Sequence, residues 1–309
     1  MKYLSVCSGI EAASIAWKPL GFEAVGFSEI EPFPCELLKQ RYSNVKNYGD
    51  ITKYEKWSIG EFDVLVGGTP CQSFSIAGKR GGTNDTRGRL MYAYLGIVAT
   101  YRPRWIVWEN VPGVLSSSDG YDFATFLSGL EKCGYGWAYR VLDAQYFGVP
   151  QRRRRVFVVG HIGNQPDLAA KVLFEPEGVR RDITEGSKTQ KETAGAIGKS
   201  INYFRRGGNY KYHVDEKSST LRNTASQDCF DLILDNGRQI RRLTPLECER
   251  LQGFPDDWTK ISWLGKPVDR CPDSLRYKAL GNSMAVPVMR WIGKRLPTTF
   301  GGKQLAFGF

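Results

Sequence analysis

A chain of 309 residues can bury a sizeable core, as one large domain or two modest ones. Apolar residues (41%) and charged residues (24%) stand near the globular average, which excludes wholesale disorder, and no apolar run approaches the roughly 18 residues that a membrane span needs. With 43 Lys and Arg against 32 Asp and Glu the net charge is +11, which favours a polyanionic partner, because neutralised phosphates release their counterions.

In chain order, short β-rich runs alternate with longer helical patterns. Strands are predicted at 3–7, 24–28, 62–66, 104–108, 138–142 and 156–159, and helices at 11–19, 32–41, 89–101 and 121–133. The opening stretch carries Glu11 and lacks a basic start followed by a clean apolar run. It reads as a core strand and helix of a cytoplasmic protein, not as a signal peptide. Strands alternating with helices predict an α/β fold, a Rossmann-like, mostly parallel sheet with helices on both faces and its strand ends gathered along one edge. After about residue 162 the chain turns polar and irregular up to about 235. This reads as a smaller, irregular β-rich domain, with a long disordered insert as the alternative. A helix at 244–252 starts with Thr244 as N-cap and Pro245 in its first turn, and an apolar helix at 284–296 has the character of a core element.

The first strand ends in Cys7-Ser8-Gly9-Ile10 and the second in Ser28-Glu29-Ile30-Glu31. A glycine turn lets backbone N–H groups approach a ligand, and an acidic residue about 20 positions on suits ribose hydroxyls; a tight turn and a solvated Glu explain the pair as well. Glu11, Ala12 and Ala13 stand where a dinucleotide fingerprint needs glycine, which argues against NAD and leaves another nucleoside-bearing cofactor open. Asp50 is either an adenine acceptor, with Ile51 packing on the ring, or an N-cap.

The strongest local signal is Gly67-Gly68-Thr69-Pro70-Cys71-Gln72-Ser73, directly after a strand, which places Cys71 on a proline-stiffened turn. The glycine-rich segment after it carries Lys79, Arg80, Arg87 and Arg89, a composition suited to a mobile lid that closes on phosphates. Glu109 ends another strand on the same edge. In Gln151-Arg152-Arg153-Arg154-Arg155, alternation puts Gln151, Arg153 and Arg155 on one face. The seven cysteines form no Cys-x-x-Cys pair and stand beside only two histidines, so neither a disulfide framework nor a metal site is expected.

A thiol, a carboxyl group and an arginine beside an adenosine-type cofactor suit one reaction in particular. Carbon 5 of cytosine is too poor a nucleophile to be methylated directly. Thiolate addition at carbon 6, with a carboxyl group at N3, makes it one. The base must leave the duplex first, because carbon 6 is unreachable in a stack.

These motifs, in this order and over nearly the whole length, resemble the DNA cytosine-5 methyltransferase family of the compact bacterial and phage type. The resemblance implies S-adenosylmethionine as cofactor, S-adenosylhomocysteine as product and double-stranded DNA as partner. By it Cys71 in Pro70-Cys71-Gln72 is the nucleophile, Glu109 the N3 carboxylate and Arg155 the O2 ligand, with Arg153 supporting the lid and a phosphate and Gln151 in the same element. Ser8, Gly9, Ile10, Glu29, Ile30, Asp50 and Ile51 would hold the cofactor, joined by Asn282 and Ser283 of the last motif, Gly281 to Pro287. Gln72, Ser73, Lys79, Arg80, Arg87, Arg205 and Arg206 would meet DNA. The resemblance further implies a catalytic domain of 1–162 completed by 278–309, with a target-recognition domain at 163–277. Arg242-Leu243-Thr244-Pro245 with Glu247, and Leu251 to Pro255, resemble the segment that organises that domain. Cys7 replaces the family's Phe and Glu11-Ala12 its Gly-Gly, which is expected to alter adenine stacking and the backbone near the methionine end. A monomer is expected, with a cognate restriction endonuclease as a candidate companion, in a prokaryotic or phage-infected cell. The same chemistry on transfer RNA and a catalytically silent DNA-binding homologue are the alternatives.

Overall fold

Six apolar runs form one sheet in a computed structural model that describes residues 1–69, 89–175, 203–206, 212–215, 217–218, 221, 232–235 and 239–296, with backbone alone at 203–206, 212–215, 232–235 and 239–240. The expected nucleophile Cys71 and the expected DNA contacts Gln72, Ser73, Lys79, Arg80 and Arg87 lie outside the described residues. The strands are β1 (Lys2–Val6), β2 (Glu23–Ser28), β3 (Val64–Gly67), β4 (Trp105–Asn110), β5 (Tyr135–Asp143) and β6 (Arg154–Ile162), in the order β2-β1-β3-β4-β6-β5. β1 runs parallel to β2 and β3, and β3 to β4, while β6 is antiparallel to both β4 and β5. The mostly parallel α/β sheet expected from the pattern is therefore present, with one reversed strand.

Alternation sorts the side chains to two faces. Val64, Val66, Trp105 and Val107 enter one core with residues of α1 (Ala12–Trp17), α2 (Pro32–Arg41) and α5 (Pro166–Leu173). Leu65, Ile106 and Trp108 enter the other with α3 (Arg89–Tyr101) and α4 (Tyr121–Lys132). With both faces covered, β4 is buried at every position and reads as an unbroken apolar run before Glu109. It extends beyond the predicted 104–108, because β6 continues the ladder to the pair Asn110–Val156.

The polar region contains a second sheet among the described residues. It consists of β7 (Tyr203–Arg206), β8 (Tyr212–Asp215), β9 (Leu232–Asp235) and β10 (Gln239–Arg242), in the order β10-β9-β7-β8, with antiparallel pairing. Three helices follow: α6 (Pro245–Gln252), α7 (Asp273–Asn282) and α8 (Val286–Arg295). Thr244 caps α6 as predicted and Glu247 completes a capping box. Leu221, Leu243, Cys248, Leu251 and Phe254 share the core of α1 and α5. α5, expected in the second domain, also packs in that core through Ala169, Val172 and Leu173.

Candidate active site

The chain turns sharply where β1 ends. Cys7 (φ 50), Gly9 (φ 55) and Glu11 (φ 61) are all left-handed, at alternate positions. Only glycine takes that conformation without penalty, and hydrogen bonds from the residues between them hold the turn. Ser8 Oγ donates to Ser5 O at 2.9 Å, and the Gly9 N–H donates to Glu29 Oε2 at 2.7 Å. The other oxygen of Glu29 accepts the N–H groups of Ile30 and Glu31, each at 2.8 Å. A side chain built on Gly9 would meet no atom within 4 Å, so the turn faces open space.

That space is a cavity of about 730 Å³, within the range of small-molecule sites. One end is lined by Cys7, Gly9, Glu29, Ile30, Asp50 and Ile51; Lys278 and Asn282 of α7 also line the cavity, and Lys278 Nζ pairs with Glu31 Oε2 at 2.7 Å. Asp50 is both cavity lining and helix cap: it accepts from Thr52 N at 2.9 Å and Thr52 Oγ1 at 2.8 Å. Burial pushes its carboxyl up, but the two bonds from Thr52 outweigh this and hold it below the usual range, so it stays an acceptor. Burial, with Glu29 and Asp50 adding to it, drives the Cys7 thiol up to about 12. A carboxylate beside a glycine turn, a second acceptor and an apolar floor at Ile51 fit an adenosine-bearing cofactor.

The opposite end of the same cavity holds Glu109, Asn110 and Arg155. The reversal of β6 creates this group, because an antiparallel neighbour begins where β4 ends. Arg155 Nε lies 3.0 Å from Glu109 Oε1, and Glu109 is only 9% exposed. Burial raises the Glu109 carboxyl above the ordinary glutamate range, against the pull of Arg155 and Arg153. A carboxyl group so placed can give a proton and stay paired. Gly68 makes room for it: a Cβ there would stand 2.8 Å from Glu109 Oε2. Asn110 Nδ2 donates to Thr69 O at 2.9 Å, and Trp108 Nε1 to Thr69 Oγ1 at 3.1 Å. Two residues of β4 thus fix the segment that leads into Pro70-Cys71.

Gln151, Arg153 and Arg155 share one face, as predicted, with Arg152 and Arg154 exposed on the other. Arg153, expected to support the lid and a phosphate, is 2% exposed and donates to the carbonyls of Leu221 (3.3 Å), Gly281 (3.0 Å) and Ser283 (2.6 Å). Gln151 is fully buried, and among the described residues its side-chain amide meets no partner. Ser8, Ile10 and Ser283, expected at the cofactor, do not line the cavity. Ser8 is spent on Ser5 O, Ile10 packs in the core, and Ser283 offers its carbonyl to Arg153. Arg205 and Arg206 lie in β7, where only the backbone is described. The sequence reading assigned no role to Gly68, Asn110 or Lys278; an Asn directly after the strand-end Glu was the visible signal for the second.

Among the described residues no helix is long and apolar enough to cross a membrane. A relative from Escherichia phage P1, named DNA N-6-adenine-methyltransferase, is 36% identical across 95% of this chain, which spans 61% of that protein. The Type II methyltransferase M1.ScrFI of Lactococcus lactis subsp. cremoris is 32% identical across 92% of this chain and 76% of its own. A solved structure of Spodoptera frugiperda DNMT2 superposes with a TM-score of 0.69 at 18% identity, covering 96% of this chain and 99% of that one, a likeness of fold. Residues 1–192 and 169–298 match C-5 cytosine-specific DNA methylase, and the chain belongs to that family.

Proposed function

We propose that the protein methylates carbon 5 of a cytosine turned out of duplex DNA, with Cys71 as nucleophile and S-adenosylmethionine as methyl donor. The observation that supports this best is the buried Glu109–Arg155 pair, 3.0 Å apart, opening on the cavity that also holds Gly9, Glu29 and Asp50. When bound, the cofactor supplies an electrophilic methyl group; Glu29 and Asp50 would hold its adenosine. Arg155 would donate to cytosine O2 while the raised carboxyl of Glu109 gives a proton to N3. That charge shift opens carbon 6 to the Cys71 thiolate, and carbon 5 becomes nucleophilic. Loss of the carbon-5 proton after methylation expels Cys71. Turning the base out costs a few kcal/mol, which contacts in the pocket must offset.

The name of the phage P1 relative raises a second reading, methylation of adenine N6. An exocyclic amine can take a methyl group itself and needs no thiol. Adjacent donors from Glu109 and Arg155 match the N3 and O2 edge of cytosine, and adenine has no ring carbonyl for Arg155. Cytosine is favoured. Incubation with labelled cofactor and duplex DNA or transfer RNA, followed by nucleoside analysis, should give 5-methylcytosine in DNA. N6-methyladenine, or label in RNA alone, would overturn the reading. DNA carrying 5-fluorocytosine should trap a covalent adduct that Cys71→Ala abolishes while DNA affinity persists.

A further inference from the structure

Glu11 is one of several buried acids that the mechanism leaves unused. Glu11 is 1% exposed and stands directly after the cofactor turn, in a left-handed conformation that costs about 1–2 kcal/mol for a residue with a Cβ. Its carboxylate is surrounded by donors. Ser5 Oγ donates to Oε1 at 2.5 Å, and Ser14 donates to Oε2 through Oγ at 2.5 Å and N at 3.2 Å. Because the one Ser14 hydroxyl proton points at Glu11, the Tyr3 hydroxyl 2.6 Å away must donate to Ser14. Every proton of the cluster points toward the acid. Ser5 lies in β1 and Ser14 in α1, so the carboxylate closes both ends of the turn that carries Gly9 into the cavity.

We infer that Glu11 is a positioning residue for the cofactor turn, whose ionised carboxylate clamps β1 to α1 and makes cofactor affinity depend on pH. The inference rests on the cofactor reading above. A protonated Glu11 must donate to Ser5 or Ser14, which reverses a hydroxyl that now donates inward and loosens the clamp. Burial, the largest influence, overcomes the bonds from Ser14 and Ser5 and lifts this carboxyl to about 7, within the working range of solution experiments. The groups that face it do not switch there. Tyr3 and Tyr42 are pushed well above the usual phenol range by burial, Cys7 is raised to about 12, and Glu29 adds a like charge from the end of β2. Glu109 is also raised but sits at the opposite end of the cavity, so a comparison of variants at Glu11 separates the two.

The test is titration calorimetry of S-adenosylhomocysteine binding to the full chain, in buffers of different ionisation enthalpy. In the parent protein the Kd should weaken roughly fivefold or more from about pH 8 to about pH 6, with proton release on binding near neutrality. Glu11→Gln should bind with no such dependence and no such release. Ser14→Ala, a milder change, removes one bond to the ionised form and should move the midpoint to higher pH. A flat parent profile, or the same profile in Glu11→Gln, overturns the inference. If no protein binds at any pH, the cofactor reading itself fails and takes the inference with it.

Discussion

The chemistry proposed for Glu109 depends on a carboxyl group that can both give a proton and remain paired with Arg155. Glu109→Gln keeps the shape and removes the acid. Turnover should drop by roughly a hundredfold to ten-thousandfold, while cofactor affinity measured by calorimetry stays within about twofold. Equal losses in both would mean that Glu109 serves the cofactor instead. Gly68→Ala acts on the same atom from the neighbouring strand, since the new methyl would press on Glu109 Oε2. It should lower kcat by about a hundredfold and leave the KM for cofactor nearly unchanged. At this scale the sequence was legible where a reactive group closes a strand, as with Glu109 and Arg155. It was not legible at Gly68, because the need for glycine comes from a side chain on another strand. A motif also counts residues without orienting them: Ser8, Ile10 and Ser283 belong to the right turns but do not line the cavity.

Between elements, α1 and α8 approach closely. A Cβ on Gly293 would stand 2.5 Å from the Trp17 ring, whose Nε1 donates to Met289 O at 2.7 Å. Gly293→Ala should destabilise the fold by about 1–3 kcal/mol, read as a lowered midpoint in chemical denaturation with an unchanged slope. Thr244→Ala removes one arm of the capping box on α6 and should cost about 1 kcal/mol. The Glu11 cap of α1 works differently. Its carboxyl is lifted to about 7 in the folded chain, so the folded state binds the proton more tightly than the unfolded one. This contribution to stability is full below about pH 4.3 and is lost as pH rises to about 7, on the order of 3 kcal/mol. Thermal melts should show that fall in the parent and not in Glu11→Gln. Hydrophobic period placed most strands and helices within a few residues. Strand direction escaped it, because the continuous apolar run of β6 reads the same either way along the sheet, and its reversal is what brings Arg155 to Glu109.

For the whole molecule, a net charge of +11 predicts DNA binding that collapses with salt. Affinity for duplex DNA, followed by fluorescence anisotropy, should fall by roughly a thousandfold or more between about 50 and about 200 mM salt. A shallow dependence would remove phosphate contacts as the main source of affinity. That the last helix packs in the first core was legible in its apolar run at 284–296. Arg153 carries a practical consequence. Its guanidinium gathers carbonyls from Leu221, Gly281 and Ser283, while Ser218 exchanges backbone hydrogen bonds with Pro150 and Arg152. Ser218 and Leu221 thus belong to the scaffold although they lie inside the stretch proposed to read the target. A chimera that borrows a relative's specificity should keep these two positions from the host, and one spliced through them should lose the joint that holds the graft in register.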